Sequence, residues 1–132
     1  HKTAYNDYLL IPYKNNGFAV IQHSDFITLH VPAQNGPIIG KAELDKMKTG
    51  AAIVNCARGG VIDEDALLEA LDSGKLAFAG LDVFENEPTP SEKILTHPKI
   101  SLTPHTGAAT EEAQDRIGTE LANQIASILL VK

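Results

Sequence analysis

Arg58, Asp82, Glu87 and His105 give this chain a guanidinium, two carboxylates and an imidazole, each placed just beyond an apolar run. Such a set suits a small anionic substrate that exchanges a proton. A guanidinium grips a carboxylate through its planar fork, which an ammonium cannot match, and Arg58 is the candidate for that task. An imidazole has an ordinary pKa of about 6.5, so His105 is the candidate to give and take a proton near neutral pH. Glu87 can orient that ring and favour its charged form. Asp82 interrupts the end of an apolar segment, where a carboxylate needs a partner.

Other chemistries fit less well. His23, His30, His97, His105 and Cys56 never fall at the i, i+4 spacing of a helical zinc pair, and no second cysteine exists for a thiolate site. No metal site is expected. Gly-x-Ser-x-Gly is absent, and Cys56 has no obvious base near it in sequence, so it is expected to pack rather than react. Eleven basic residues against 17 acidic ones, a net charge of -6, argue against nucleic-acid or acidic membrane surfaces. The single cysteine fits a reducing, cytoplasmic setting, and no stretch approaches a membrane span or a signal peptide.

The elements that must position these side chains follow from the apolar pattern. At 132 residues, 43% hydrophobic and 21% charged, the chain has the composition of one soluble globular domain. Ala51-Ala52-Ile53-Val54 lacks polar alternation, as a parallel strand covered on both faces does, and Asn55 ends it. Gly59 and Gly60 then allow a sharp turn or a close approach to a ligand, and Asp63 caps a helix from Glu64 to about Ser73. That helix buries Ala66, Leu67, Ala70 and Leu71, with Gly74 as its C′ residue. Phe26 to Val31, Leu76 to Val83 and Ile100 to Thr103 read as further strands, and Lys41 to Met47 as a short helix with Leu44 and Met47 inward.

Tyr5, Tyr8, Leu9 and Leu10 suggest a short helical face cut off by Pro12 and Asn15-Asn16-Gly17, and Phe18-Ala19-Val20-Ile21 reads as an extended piece. Ser91 to Thr96 is expected to hold one helical turn. Thr110 caps a long last helix, in which Ala113, Ile117, Leu121, Ile125 and Ile128 recur at helical spacing and are expected to be buried. Strands alternating with helices predict an α/β fold, a parallel sheet covered by helices. Right-handed crossovers would set the ends carrying His30, Arg58, Asp82 and His105 along one edge, where open α/β sheets bind ligands.

Four ordered motifs carry a resemblance. Leu29-His30-Val31-Pro32, Asn55-x-Ala57-Arg58-Gly59-Gly60-Val61-Ile62-Asp63, Leu81-Asp82-Val83-Phe84-x-x-Glu87-Pro88 and Thr103-Pro104-His105-x-Gly107 resemble the NAD-dependent D-2-hydroxyacid dehydrogenases from about Ser24 onward. Gly107-Ala108-Ala109-Thr110-Glu111-Glu112-Ala113-Gln114 is most similar to the D-3-phosphoglycerate dehydrogenase branch, which serves serine biosynthesis, with glyoxylate and hydroxypyruvate reductases close by. The resemblance implies that Arg58 holds the substrate carboxylate and carbonyl oxygen, that His105 takes the hydroxyl proton as hydride leaves for NAD, and that Glu87 pairs with it. It further implies that Asp82 hydrogen-bonds the nicotinamide amide, while His30, Pro32, Cys56, Ala57, Arg58, His105 and Gly107 line the cofactor, some through backbone only.

One departure qualifies the match. A Rossmann dinucleotide fold needs Gly-x-Gly-x-x-Gly after its first strand and an acidic residue about twenty positions later, and this sequence has neither. Residues 1–132 are therefore expected to form the C-terminal portion of a Rossmann-like NAD-binding domain, incomplete because the first βαβ unit with its glycine-rich loop is missing, and without a substrate domain. The isolated chain is expected to be inactive. The longer enzyme would act on a small 2-hydroxy or 2-keto acid as a homodimer. A competing reading is a non-catalytic, NAD-sensing module like the co-repressors that share the Arg58, Glu87 and His105 set.

Overall fold

Four apolar runs pair side by side in the computed structural model, which describes residues 17–107 and 109–130. They are β1 (Phe26–Leu29), β2 (Ala51–Asn55), β3 (Leu76–Leu81) and β4 (Ile100–Leu102), all parallel and in the order β1-β2-β3-β4. Helices α1 (Gly17–His23), α2 (Lys41–Lys46), α3 (Glu64–Asp72), α4 (Glu92–Thr96) and α5 (Glu111–Leu130) alternate with them. Parallel neighbours need crossovers, and α2, α3 and α4 supply them. This is a Rossmann-like α/β sheet.

The register aligns the strand ends. Leu29 pairs with Asn55, Asn55 with Leu81 and Leu81 with Leu102, so the four strands stop level with one another. His30, Cys56, Asp82 and Thr103 are the next residues in line. The core behind them joins Ile53, Leu76 and Ala79 of the sheet to Leu44, Leu67, Leu71 and Ile94 of the helices, all at most 1% exposed. Helix α3 starts where expected, because the Asp63 side chain accepts a hydrogen bond from the Ala66 amide. Its stripe of Ala66, Leu67, Ala70 and Leu71 is buried, and Gly74 follows at φ 76°. Helix α4 likewise starts at a serine cap, Ser91, whose hydroxyl accepts from the Ile94 amide.

Three expectations fail. β2 is fully buried on one face only, since Ala51 and Ile53 are buried but Ala52 and Val54 are half-buried. Phe18 to Ile21 lies inside α1 rather than in an extended piece. A four-residue apolar run carries no period of its own, and here Ile21 packs on the core from a helix. Helix α5 forms and its cap holds, with the Ala113 amide donating to Thr110 Oγ1 at 3.2 Å. Its apolar stripe is nevertheless open, with Ile117, Leu121, Ile125 and Ile128 between 48% and 75% exposed and Ala113 half-buried. Periodicity names the apolar face of a helix but not what meets it. The Tyr5 to Leu10 reading lies outside the described residues. Among the described residues, no helix is long and apolar enough to cross a membrane.

Candidate active site

The loop after β2 is closed by one buried amide. Asn55 is 3% exposed; its Oδ1 accepts from the Ala57 amide at 3.0 Å and its Nδ2 donates to the Arg58 carbonyl at 3.0 Å. This Asx-type turn presents Arg58 to solvent just past the strand. The Arg58 guanidinium folds back, Nη1 donating to the Ala57 carbonyl at 2.6 Å. Gly59 then passes against the next loop so closely that a Cβ there would lie 1.8 Å from the Phe84 carbonyl oxygen.

That next loop carries Glu87. Its Oε1 accepts from the Phe84 amide at 3.0 Å, and its Oε2 lies 2.7 Å from His105 Nδ1. The pair sits at the surface, with side-chain exposures of 34% and 47%. The bond from His105, helped by the Phe84 amide, holds the Glu87 carboxyl below the usual carboxylate range. A cavity of about 500 Å³ opens beside the pair, walled mainly by Pro88, Pro90, Leu95, Leu102 and Pro104.

Asp82 braces the loop that carries His105. It is 5% exposed, and Thr103 Oγ1 and the Thr106 amide donate to its Oδ1 at 2.5 and 2.8 Å, while the Gly107 amide donates to Oδ2 at 2.9 Å. These bonds tie down both sides of His105, whose backbone adopts φ 54°, a left-handed conformation uncommon for a side-chain-bearing residue. Burial opposes the charge on Asp82, but the hydroxyl and the two amides outweigh it and hold the carboxyl below its ordinary value.

A stability prediction follows. Asp82→Asn leaves two amides and a hydroxyl facing an amide side chain that can accept at only one atom, and should cost about 2 kcal/mol in urea unfolding. Because the folded value lies below the unfolded one, the Asp82 contribution is complete above the ordinary aspartate pKa of about 3.9 and is lost as pH falls through the folded value. The variant should lack this part of the acid limb. A variant as stable as the unsubstituted chain, with an unchanged acid limb, would show that the carboxylate braces nothing.

The other sequence candidates fall around this centre. His30 is exposed, with Nε2 3.0 Å from Thr28 Oγ1, and Pro32 is exposed beyond β1. Ala57 is buried, whereas Cys56 is exposed, so it does not pack into the core as expected. Its partial burial, and then the charge of Asp82, push the thiol up, which keeps it a poor nucleophile. Glu87 and His105 meet directly, and Asp82 meets the backbone on the far side of His105. Among the described residues, Arg58 joins them through backbone packing, Gly59 on Phe84, rather than through its guanidinium. No group of three or more His, Cys, Asp or Glu side chains is arranged to hold a metal ion among the described residues.

Sequence reasoning missed Asn55, Thr103 and Thr106. For Asn55 a signal existed, since an amide closing an apolar strand is a frequent turn-former. Thr103 stands in a motif that carries the resemblance but takes no role there, and Thr106 gave no signal.

Residues 9–107 match the sequence model of the D-isomer specific 2-hydroxyacid dehydrogenases, NAD binding domain. The chain is 53% identical over 110 residues to D-3-phosphoglycerate dehydrogenase of Methanocaldococcus jannaschii, covering 82% of this chain and 21% of that protein. It is 50% identical over 111 residues to hydroxypyruvate reductase of Thermotoga maritima, covering 80% of this chain and 36% of that one. Among solved structures, a glyoxylate reductase from Paecilomyes thermophila superimposes with a TM-score of 0.76 at 41% identity, covering 86% of this chain and 35% of its own. The chain thus spans about a fifth to a third of the length of these relatives.

Proposed function

Because this chain belongs to the D-isomer specific 2-hydroxyacid dehydrogenases, through their NAD-binding domain, we propose that it supplies the proton-transfer side chains and part of the NAD site of a D-2-hydroxyacid dehydrogenase. As the C-terminal portion of a Rossmann domain it would work with a glycine-rich first half and a substrate domain, in a cytoplasmic homodimer. The reading is supported above all by the 2.7 Å contact of Glu87 with His105 beside the level strand ends.

The residues at that edge fit such a cofactor. His30, Pro32, Cys56 and Arg58 are exposed past the ends of β1 and β2, Cys56 lies close enough to Asp82 to feel its charge, and Asp82 Oδ2 has a lone pair left for an amide donor. Asp82 would bond the nicotinamide amide, with Ala57, His105 and Gly107 completing the wall. NAD, when bound, supplies the hydride acceptor for the carbon that bears the hydroxyl.

Glu87 is held below the carboxylate range, so it is charged at neutral pH and can only accept. The hydrogen in its bond with His105 therefore belongs to Nδ1, and in the neutral ring this leaves the Nε2 lone pair to take the substrate's hydroxyl proton as the 2-keto acid forms. In the reverse direction the same nitrogen returns it. Arg58 exchanges its bond to the Ala57 carbonyl for a charge-assisted pair with the substrate carboxylate.

The substrate we favour is D-3-phosphoglycerate, as in the Methanocaldococcus jannaschii relative. A glyoxylate or hydroxypyruvate reductase is the second reading, favoured by the Thermotoga maritima relative and the Paecilomyes thermophila structure. The test compares the longer enzyme and its Arg58→Lys variant on D-3-phosphoglycerate, hydroxypyruvate and glyoxylate, with the isolated 132 residues as an inactive control. The substitution should raise KM for the acid roughly ten- to a hundredfold, since an ammonium cannot span two oxygens. Absence of NAD-linked turnover with all three acids would sink the reading, and an unchanged KM would remove Arg58 from it.

A further inference from the structure

Glu64 and Glu85 hold each other's backbone across two loops. The Glu64 amide donates to Glu85 Oε1 at 3.3 Å, and the Glu85 amide donates to Glu64 Oε1 at 2.8 Å. Glu64 opens α3 and is only 9% exposed. Acidic residues at a helix start are ordinary, but they are ordinarily solvated. Burial pushes this carboxyl up, and the Glu85 amide reverses that only in part. A carboxylate kept at such a cost calls for a reason beyond capping.

The reason lies one residue away. The Phe84 amide is bonded to Glu87 Oε1 and the Glu85 amide to Glu64 Oε1, so two successive amides of one short loop are each fixed by a carboxylate. The Phe84 carbonyl between them rests against Gly59. We propose that Glu64 is a positioning residue: by anchoring the Phe84–Glu85 backbone it sets the Glu87 side chain at the angle from which it meets His105. Glu64 accepts from the Glu85 amide and acts on Glu87 through that backbone. Its functional weight rests on the acid–base reading of that pair, but the positioning itself does not.

The experiment uses the 132-residue chain without substrate or cofactor and follows the Glu87 carboxyl by carbon NMR as a function of pH. In the unsubstituted chain Glu87 titrates below the ordinary carboxylate range. In Glu64→Ala it should move back toward that range, whereas Glu64→Gln, which keeps a carbonyl acceptor, should leave it depressed. A lower Tm in Glu64→Ala with Glu87 unmoved would reduce Glu64 to a helix support and overturn the proposal. Glu64→Gln returning Glu87 toward the ordinary range as far as Glu64→Ala would show that an acceptor kept at this position does not hold the loop, and would overturn the proposal equally. Loss of the Glu64 charge alone would lower the Glu87 value, not raise it.

Should Glu64→Ala not fold, hydrogen exchange in the unsubstituted chain decides. Protection of the Glu85 amide comparable to that of the strand-end Asp82 amide supports the anchor, and exchange at an open-loop rate overturns it. None of these readouts needs turnover. A failed dehydrogenase reading, seen as absent activity in the longer enzyme, would therefore leave them unchanged.

Discussion

His105→Ala in the longer enzyme should lower kcat by about two to four orders of magnitude, the usual contribution of one positioned acid–base group. The reasoning starts from Glu87, not from the histidine. A carboxylate held below its ordinary range stays charged across the neutral region and can only accept, so Nδ1 must carry the hydrogen at the 2.7 Å contact. In the neutral ring the other nitrogen is then the only atom with a lone pair for the substrate hydroxyl. Alanine removes that atom but leaves Asp82 bonded to the Thr106 and Gly107 amides, because those are backbone bonds. Affinity for the cofactor should accordingly stay within a few-fold, and the loss should fall on kcat. Steady-state assays with the acid and with NAD varied in turn measure both. A rate equal to that of the unsubstituted enzyme would remove His105 from the mechanism, and a large rise in KM for NAD with kcat kept would leave it a cofactor contact alone.

The order of strands and the alignment of their ends were legible because apolar runs without alternation have few other uses in a chain of this composition. Ala51 to Val54 announced a strand, although only the face of Ala51 and Ile53 is fully buried while Ala52 and Val54 are half-buried, and Asn55 and Asp82 announced where backbone leaves the sheet. Two caps were legible too, since Asp63 and Thr110 act on amides three residues away. What sequence could not disclose was contact between segments far apart in the chain. Thr103 and Thr106 on Asp82, and the Glu64–Glu85 exchange, each span 21 or more residues. The α5 stripe shows the same limit from the other side: Ile117 and Leu121 announce an apolar face, but the described residues do not cover it. Arg58 is intermediate, since its position past β2 was legible while the turn of its guanidinium onto Ala57 depends on local rotamers.

Gly59 shows how a correct inference can have the wrong object, and it carries the second large prediction. Adjacent glycines suggested a sharp turn or a close approach to a ligand. Both features are present, but they are divided between the two residues, and the thing approached is the protein itself. Gly60 makes the turn, with φ 75° and open space where a Cβ would stand. Gly59 makes the approach, where a Cβ would sit 1.8 Å from the Phe84 carbonyl oxygen, 2.5 Å from its carbon and 3.2 Å from the Glu85 nitrogen. Backbone cannot swing aside as a side-chain tip can, so Gly59→Ala must displace the loop that carries Glu87.

The expected cost is about 3 kcal/mol or more in urea unfolding, at the upper end for overpacking. Gly60→Ala should cost only about 1 kcal/mol, the penalty of a left-handed alanine. The two variants should also differ at the site. Displacing Phe84 pulls its amide from Glu87 Oε1, so Gly59→Ala should return the Glu87 carboxyl toward its ordinary range while Gly60→Ala leaves it depressed. Equal costs for the two alanines would mean that the β2 and β3 loops yield freely to each other. In that case Arg58 and the Glu87–His105 pair would not be rigidly related, and a site that needs both would have to be assembled by the substrate.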